Sequence, residues 1–134
     1  MVKVSFTVYG KAEPQGSTRA FIPKGWKRAI ITSDNPKLKS WRQELAKVSM
    51  QACRHKGEFP LSEAVGVVLT FIFAPPKKPK SVYKTTRPDL DKLMRSTLDG
   101  MTGIVYDDDS QVVKAELSKG YGVPERVEIF VTTL

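Results

Sequence analysis

Val2, Val4, Phe6 and Val8 alternate with Lys3, Ser5 and Thr7, the period of two that predicts a half-buried strand over residues 2–9, closed by Gly10. Residues 11–19 (KAEPQGSTR) carry turn formers and few apolar side chains and read as a loop. Two short apolar pieces, Ala20–Ile22 and Ala29–Ile31, flank Pro23-Lys24-Gly25-Trp26 and fit a hairpin. Ser33-Asp34-Asn35-Pro36 has the form of a helix start, with a capping side chain before a first-turn proline. Leu38, Trp41, Leu45, Val48 and Ala52 then recur at helical spacing and predict one helix to about residue 54, stopped by Gly57. Residues 65–73 (VGVVLTFIF) are almost continuously apolar, the pattern of a central strand covered on both faces. After Pro75-Pro76-Lys77-Lys78-Pro79-Lys80-Ser81, a segment with no core-forming side chains, a second helix starts around Pro88-Asp89. Leu90, Leu93, Met94, Thr97, Leu98 and Met101 fall within an arc of about 140° at 100° per residue, and Gly100 and Gly103 mark the helix end. Residues 111–118 and 126–133 read as two strands joined by the Gly120-Tyr121-Gly122-Val123-Pro124 turn.

These elements make one domain over residues 1–134, with no repeat and no internal boundary. The expected fold is α/β (α+β): a mixed sheet of about four or five strands with two main helices packed on it. Exposed, mobile basic loops are expected at about 11–28 and 75–86. At 40% hydrophobic and 27% charged residues the chain has the composition of an ordinary soluble domain. A single cysteine excludes a disulfide framework and a cysteine zinc site. The longest apolar run, Ala64–Ala74, is too short to cross a bilayer, and the N-terminus lacks the apolar core of a signal peptide, so a cytoplasmic location is expected.

Charge narrows the function. The net charge is +8 and the isoelectric point about 9.7, but the distribution is uneven. Residues 1–86 hold sixteen Lys and Arg against five Asp and Glu; residues 87–134 hold six against nine. A basic body favours a polyanionic partner, and nucleic acid over a membrane surface because no amphipathic anchor helix is apparent. Within that chain, six of the seven aspartates lie between Asp89 and Asp109. A divalent cation held by carboxylates and shared with a phosphate gives such a concentration a purpose.

Two features make up the cluster. Asp89-Leu90-Asp91 opens the second helix, where acidic residues also serve simply as caps that suit the helix dipole. Asp107-Asp108-Asp109-Ser110 is either a solvated acidic turn or a ligand group, and it lacks the spacing of an EF-hand. One helix separates the two features. If they face each other across a helix–sheet boundary, Asp89, Asp91 and one or two of the three adjacent aspartates form an oxygen-rich site suited to Mg²⁺ or Mn²⁺. Arg95, one turn beyond Asp91, either stabilises charge on phosphorus or pairs with Asp91 or Asp99 along the helix.

Residues 85–113, TTRPDLDKLMRSTLDGMTGIVYDDDSQVV, resemble the core of the RusA-type endodeoxyribonucleases, the Holliday junction resolvases of phages and prophages. That family's pattern runs K/R-P-D-L-D-N-L-x-K, then D-A-L, a short turn, and D-D-S-Q-V. Pro14-Gln15-Gly16-Ser17-Thr18-Arg19 is similar to its N-terminal P-x-G/K-x-x-R loop, and Phe73-Ala74-Pro75 ends a central strand as the family's does. The resemblance implies that Asp89, Asp91 and Asp109 are the catalytic, metal-holding aspartates, with Asp108 as an acidic neighbour. It puts the family's catalytic lysine at Arg95 and its asparagine at Lys92. It further implies a homodimer that binds four-way junctions and nicks two opposed strands with Mg²⁺ or Mn²⁺. Arginine keeps the charge of the lysine but cannot give up a proton. The alternative is therefore a junction- or duplex-binding protein that has lost catalysis through Lys92 and Arg95.

The phosphate-contact candidates are Arg19, Lys24, Lys27, Arg28, Lys77, Lys78, Lys80, Arg87 and Lys92. Trp26, in a basic loop, is a candidate for base stacking, whereas Trp41 lies on the apolar stripe of the first helix. His55, the one histidine, is at most a surface or phosphate contact, and Cys53 reads as a small buried residue and not a nucleophile.

Overall fold

The computed structural model describes residues 1–16, 18–22, 24–25, 27, 30–33, 37–54 and 56–134; for 18–21 and 30–33 it describes the backbone alone. Trp26, Arg28, His55, the side chain of Arg19 and residues 34–36 of the anticipated helix start lie outside the described residues. The elements run β1 (Lys3–Tyr9), β2 (Thr18–Phe21), β3 (Ile30–Ser33), α1 (Leu38–Cys53), β4 (Val65–Phe73), α2 (Leu90–Met101), β5 (Val112–Tyr121) and β6 (Arg126–Thr133). β1, β6, β4 and β5 form a mixed four-stranded sheet in that order, and β2 and β3 pair separately as an antiparallel ribbon. The fold is thus the α+β mixed sheet with two helices that the hydrophobic pattern predicts.

β5 and β6 are consecutive in sequence but not neighbours in space, because β4 lies between them. β4 pairs antiparallel with β6 and parallel with β5. A parallel pair needs a crossover, and α2 supplies it, so β4, α2 and β5 form a β-α-β unit. β4 is central, yet only one of its faces is deeply covered. Val65, Val67, Leu69, Phe71 and Phe73 are buried, whereas Val68, Thr70 and Ile72 are half-buried on the face that carries no helix. The continuous apolar run therefore overstates the cover: its β-branched residues satisfy strand propensity on the outer face without a second layer.

The core lies between the inner face and the helices. α1 buries Leu38, Trp41, Leu45, Ser49 and Cys53, the predicted stripe shifted by one position over its last turns. Gly57 lies beyond the C-cap of α1, Arg54, and has no positive φ, so the helix ends without it. α2 buries Leu93, Ser96, Thr97, Leu98, Gly100 and Met101. Gly100 is inside this helix and does not end it. Its bare Cα lets α1 approach, since a Cβ there would stand 2.5 Å from Leu45 Cδ2. The chain turns at Gly103, whose φ of +81° suits glycine.

Candidate active site

The β-α-β connection fixes where each acidic feature stands. α2 runs antiparallel to its two flanking strands, so its N-terminus lies at the C-terminal edge of β4 and β5, and the loop that follows it lies at their N-terminal edge. Lys119, late in β5, donates to the carbonyls of Thr86 and Pro88 at 2.7 Å each, which ties the segment before Asp89 to that C-terminal edge.

At this end Asp89 is the N-cap residue of α2, with φ −72° and ψ 142°, but its side chain makes no capping hydrogen bond. Capping alone therefore does not account for it, and the carboxylate is exposed and available. Asp91 is exposed in the first turn. Arg95 is exposed and makes no ion pair among the described residues. Asp99 instead pairs with Arg42 of α1, Nη2 to Oδ2 at 2.7 Å, while Arg42 also donates to Gln15. The loop before β2 is tied to α2 as well: Gln15 N donates to Lys92 O at 2.9 Å, and Ser96 Oγ to Glu13 O at 2.6 Å.

At the other end, Asp109–Gln111 form a single 3-10 turn. Asp108 caps it: its carboxylate accepts from Ser110 N at 3.0 Å, and Gln111 Oε1 accepts from Asp108 N at 2.7 Å. Gln111 Nε2 also donates to Leu61 O at 3.0 Å and Glu63 O at 2.8 Å. The Asp-Asp-Ser-Gln spacing is thus a reciprocal cap that clamps the start of β5 to the chain entering β4. The Ser110 amide, with help from the neighbouring Asp109 and the Ser110 hydroxyl, holds the Asp108 carboxyl below the ordinary range. Burial, then the carboxyls of Asp99 and Asp108, push Asp109 up. Beneath it Tyr106 is fully buried and donates to Leu98 O at 2.8 Å.

One chain does not bring the two features together, contrary to the expectation that they face each other. Asp91 and Asp99 are eight residues apart on α2, about 12 Å along its axis, and Asp109 is grouped with Asp99. Among the described residues no three His, Cys, Asp or Glu side chains converge as a set that could hold a metal. The donor chemistry still fits a hard cation. Asp89 and Asp91 are two available carboxylates, and magnesium binds through one or two carboxylates completed by waters and phosphate oxygens.

Of the phosphate-contact candidates, Lys24, Lys27, Lys77, Lys78, Lys80 and Arg87 are exposed, and Lys92 is half-buried. The basic segment after β4 is anchored at its far end, where Tyr83 bridges to Gly120 and Lys84 Nζ lies 5.2 Å from the Phe73 ring centroid and 5.8 Å from that of Tyr121. Cys53 is buried, and burial pushes its thiol up, as expected of a core residue and not a nucleophile. Sequence reasoning missed Lys119, Arg42 and the double role of Gln111. Lys119 and Gln111 act on backbone carbonyls, which leave no sequence signature.

The family model Endodeoxyribonuclease RusA matches residues 11–132. The chain is similar to "Uncharacterized protein YqaN" of Bacillus subtilis (strain 168), 30% identical over 140 residues, covering 96% of this chain and 94% of that protein. It is also similar to "Crossover junction endodeoxyribonuclease rusA" of Lactococcus phage r1t, 38% identical over 95 residues, covering 69% of each. With a family match over nearly the whole chain and an exposed aspartate pair opening α2, this protein belongs to the RusA endodeoxyribonuclease family.

Proposed function

We propose that this nuclease is a cytoplasmic, homodimeric Holliday junction resolvase that hydrolyses two opposed phosphodiesters of a four-way DNA junction with Mg²⁺ or Mn²⁺. The observation that carries the reading is Asp89: it occupies a cap position without making the cap bond, and it is exposed beside Asp91 on a basic protein. When bound, the metal supplies polarisation of the phosphate and a more acidic water. Asp89 and Asp91 would hold it. Arg95, one turn further along α2, holds a fixed positive charge against the charge that develops on phosphorus. Lys77, Lys78, Lys80 and Arg87 neutralise flanking phosphates and set the register of the DNA.

The third carboxylate follows from the separation within one chain. Asp109 stands at the far end of its own α2, so in this reading Asp109 of the partner subunit completes the set around Asp89 and Asp91. A two-fold dimer then makes two equivalent sites, and a junction needs two symmetric cuts.

The test is a cleavage assay on a synthetic mobile four-way junction in Mg²⁺, Mn²⁺ or EDTA. The expected result is paired symmetric nicks with either metal and none in EDTA. Asp91→Asn should retain junction binding and lose cleavage by about 10³-fold, the scale of several kcal/mol of lost charge stabilisation. Tight binding without nicks in either metal would overturn the resolvase and leave the alternative, a DNA-binding protein that lost catalysis through Lys92 and Arg95.

A further inference from the structure

Lys119 is out of place by ordinary rules. It lies on the helix-covered face of the sheet, opposite Phe71 in the β4–β5 register, in the row that continues to buried Val127. A half-buried ammonium is costly there unless hydrogen-bonded. It also stands near the positive end of the α2 dipole, where a cation is disfavoured. A methionine would fill the same space without either cost. The structure gives it two short bonds, to Thr86 O and Pro88 O at 2.7 Å each. These carbonyls flank Arg87, and the second belongs to the peptide that enters Asp89. β5 thereby reaches across to the loop and fixes the backbone on both sides of Arg87, up to the peptide that enters the aspartate pair. The Tyr83–Gly120 bridge and Lys84 N donating to Lys119 O at 3.4 Å hold the preceding residues to the same strand.

We propose that Lys119 is a positioning residue of the nuclease site: its ammonium clamps the Thr86 and Pro88 carbonyls and so sets how Asp89 and Asp91 meet the phosphodiester. The proposal rests on the nuclease reading and adds to it a residue outside the Asp-Leu-Asp and Asp-Asp-Ser-Gln stretches. An ammonium has three donors, and Thr86 and Pro88 take two, which leaves one for the anionic groups at the helix start once DNA is bound.

The experiment compares the full-length wild type with Lys119→Met and Lys119→Arg, in junction cleavage, junction binding in EDTA, thermal melting and amide hydrogen exchange over residues 84–92. A misplaced reacting group costs about 10²-fold, so Lys119→Met should lose about that much in kcat with the KM for junction nearly unchanged. It should remain folded at the assay temperature and bind junction in EDTA within about twofold of wild type. Exchange at residues 84–92 should speed up, and Lys119→Arg, which keeps a charged donor, should recover part of both losses. A purely stabilising lysine would lower the melting temperature and leave kcat and local exchange alone, and that result overturns the proposal. If wild type fails to cut any junction, the resolvase reading fails separately. The exchange comparison then decides whether Lys119 holds the segment: unchanged exchange overturns the clamp and faster exchange supports it.

Discussion

Asp89 and Asp108 each sit at the start of a helical turn, yet one side chain caps and the other does not. Asp108 accepts from Ser110 N, in a turn closed reciprocally by Gln111, whereas the Asp89 carboxylate makes no cap bond on α2. Residue type and spacing are the same kind of signal in both places, so the sequence identifies the candidates but cannot tell a cap from a ligand. Lys119 was illegible for a related reason: a lysine in an alternating strand looks solvent-facing until its register against Phe71 is known. Asp109 carries a pH prediction. Burial and the neighbouring carboxyls raise its folded pKa above the unfolded value, so its contribution to stability is complete below the unfolded pKa, near 4 for an aspartate, and is lost as the pH rises through the folded value. In EDTA, Asp109→Asn should therefore melt higher than wild type at neutral pH, with the gap closing toward pH 4; a variant that melts lower at neutral pH would contradict this. Arg95 carries another. In the proposed mechanism it acts as a fixed charge. Arg95→Ala should lose about 10²- to 10³-fold in kcat while binding junction normally, and Arg95→Lys should retain much of the rate. Equal losses in both variants would show that the forked geometry matters more than the charge.

The element boundaries were largely legible because each helix and strand carries its own period. The predicted strand over 65–73 coincides with β4, and the predicted helix start at Pro88-Asp89 falls next to the Asp89 cap of α2. Pairing was less legible. Nothing in residues 111–133 says that the two strands, joined by a glycine-rich turn, are held apart by β4, because insertion between them depends on long-range register. Gly100 shows how an element signal misleads: a glycine near a helix end looks like a terminator but here permits close packing of α1. Gly100→Ala should cost about 1–3 kcal/mol, the range for overpacking, because the added methyl meets Leu45 Cδ2 at 2.5 Å. Chemical denaturation reads the loss directly, and Leu45→Ala in the same chain should relieve part of the strain. A Gly100→Ala protein as stable as wild type would show that the helices shift apart without cost.

At the scale of the whole molecule, the uneven charge and the β-α-β topology point the same way. The body that ends at residue 86 carries the excess positive charge, which in the proposed reading gathers DNA, and the aspartate pair follows directly after it. The topology separates this pair from Asp109: β5 alone rises about 23 Å between Val112, just after Asp109, and Lys119, beside Asp89. In the proposed reading, a site with all three aspartates draws on two chains. Subunit mixing tests this most directly, with Asp91→Asn and Asp109→Asn proteins assayed on a four-way junction in Mg²⁺, separately and after co-refolding. Each variant alone should be inactive. The mixed dimer should regain cleavage at one strand, because one of its two sites then takes Asp89 and Asp91 from the Asp109→Asn chain and Asp109 from the other. If every mixture stays inactive while co-refolded wild type cuts both strands, the three aspartates do not share a site across two chains, and the account is wrong at its centre.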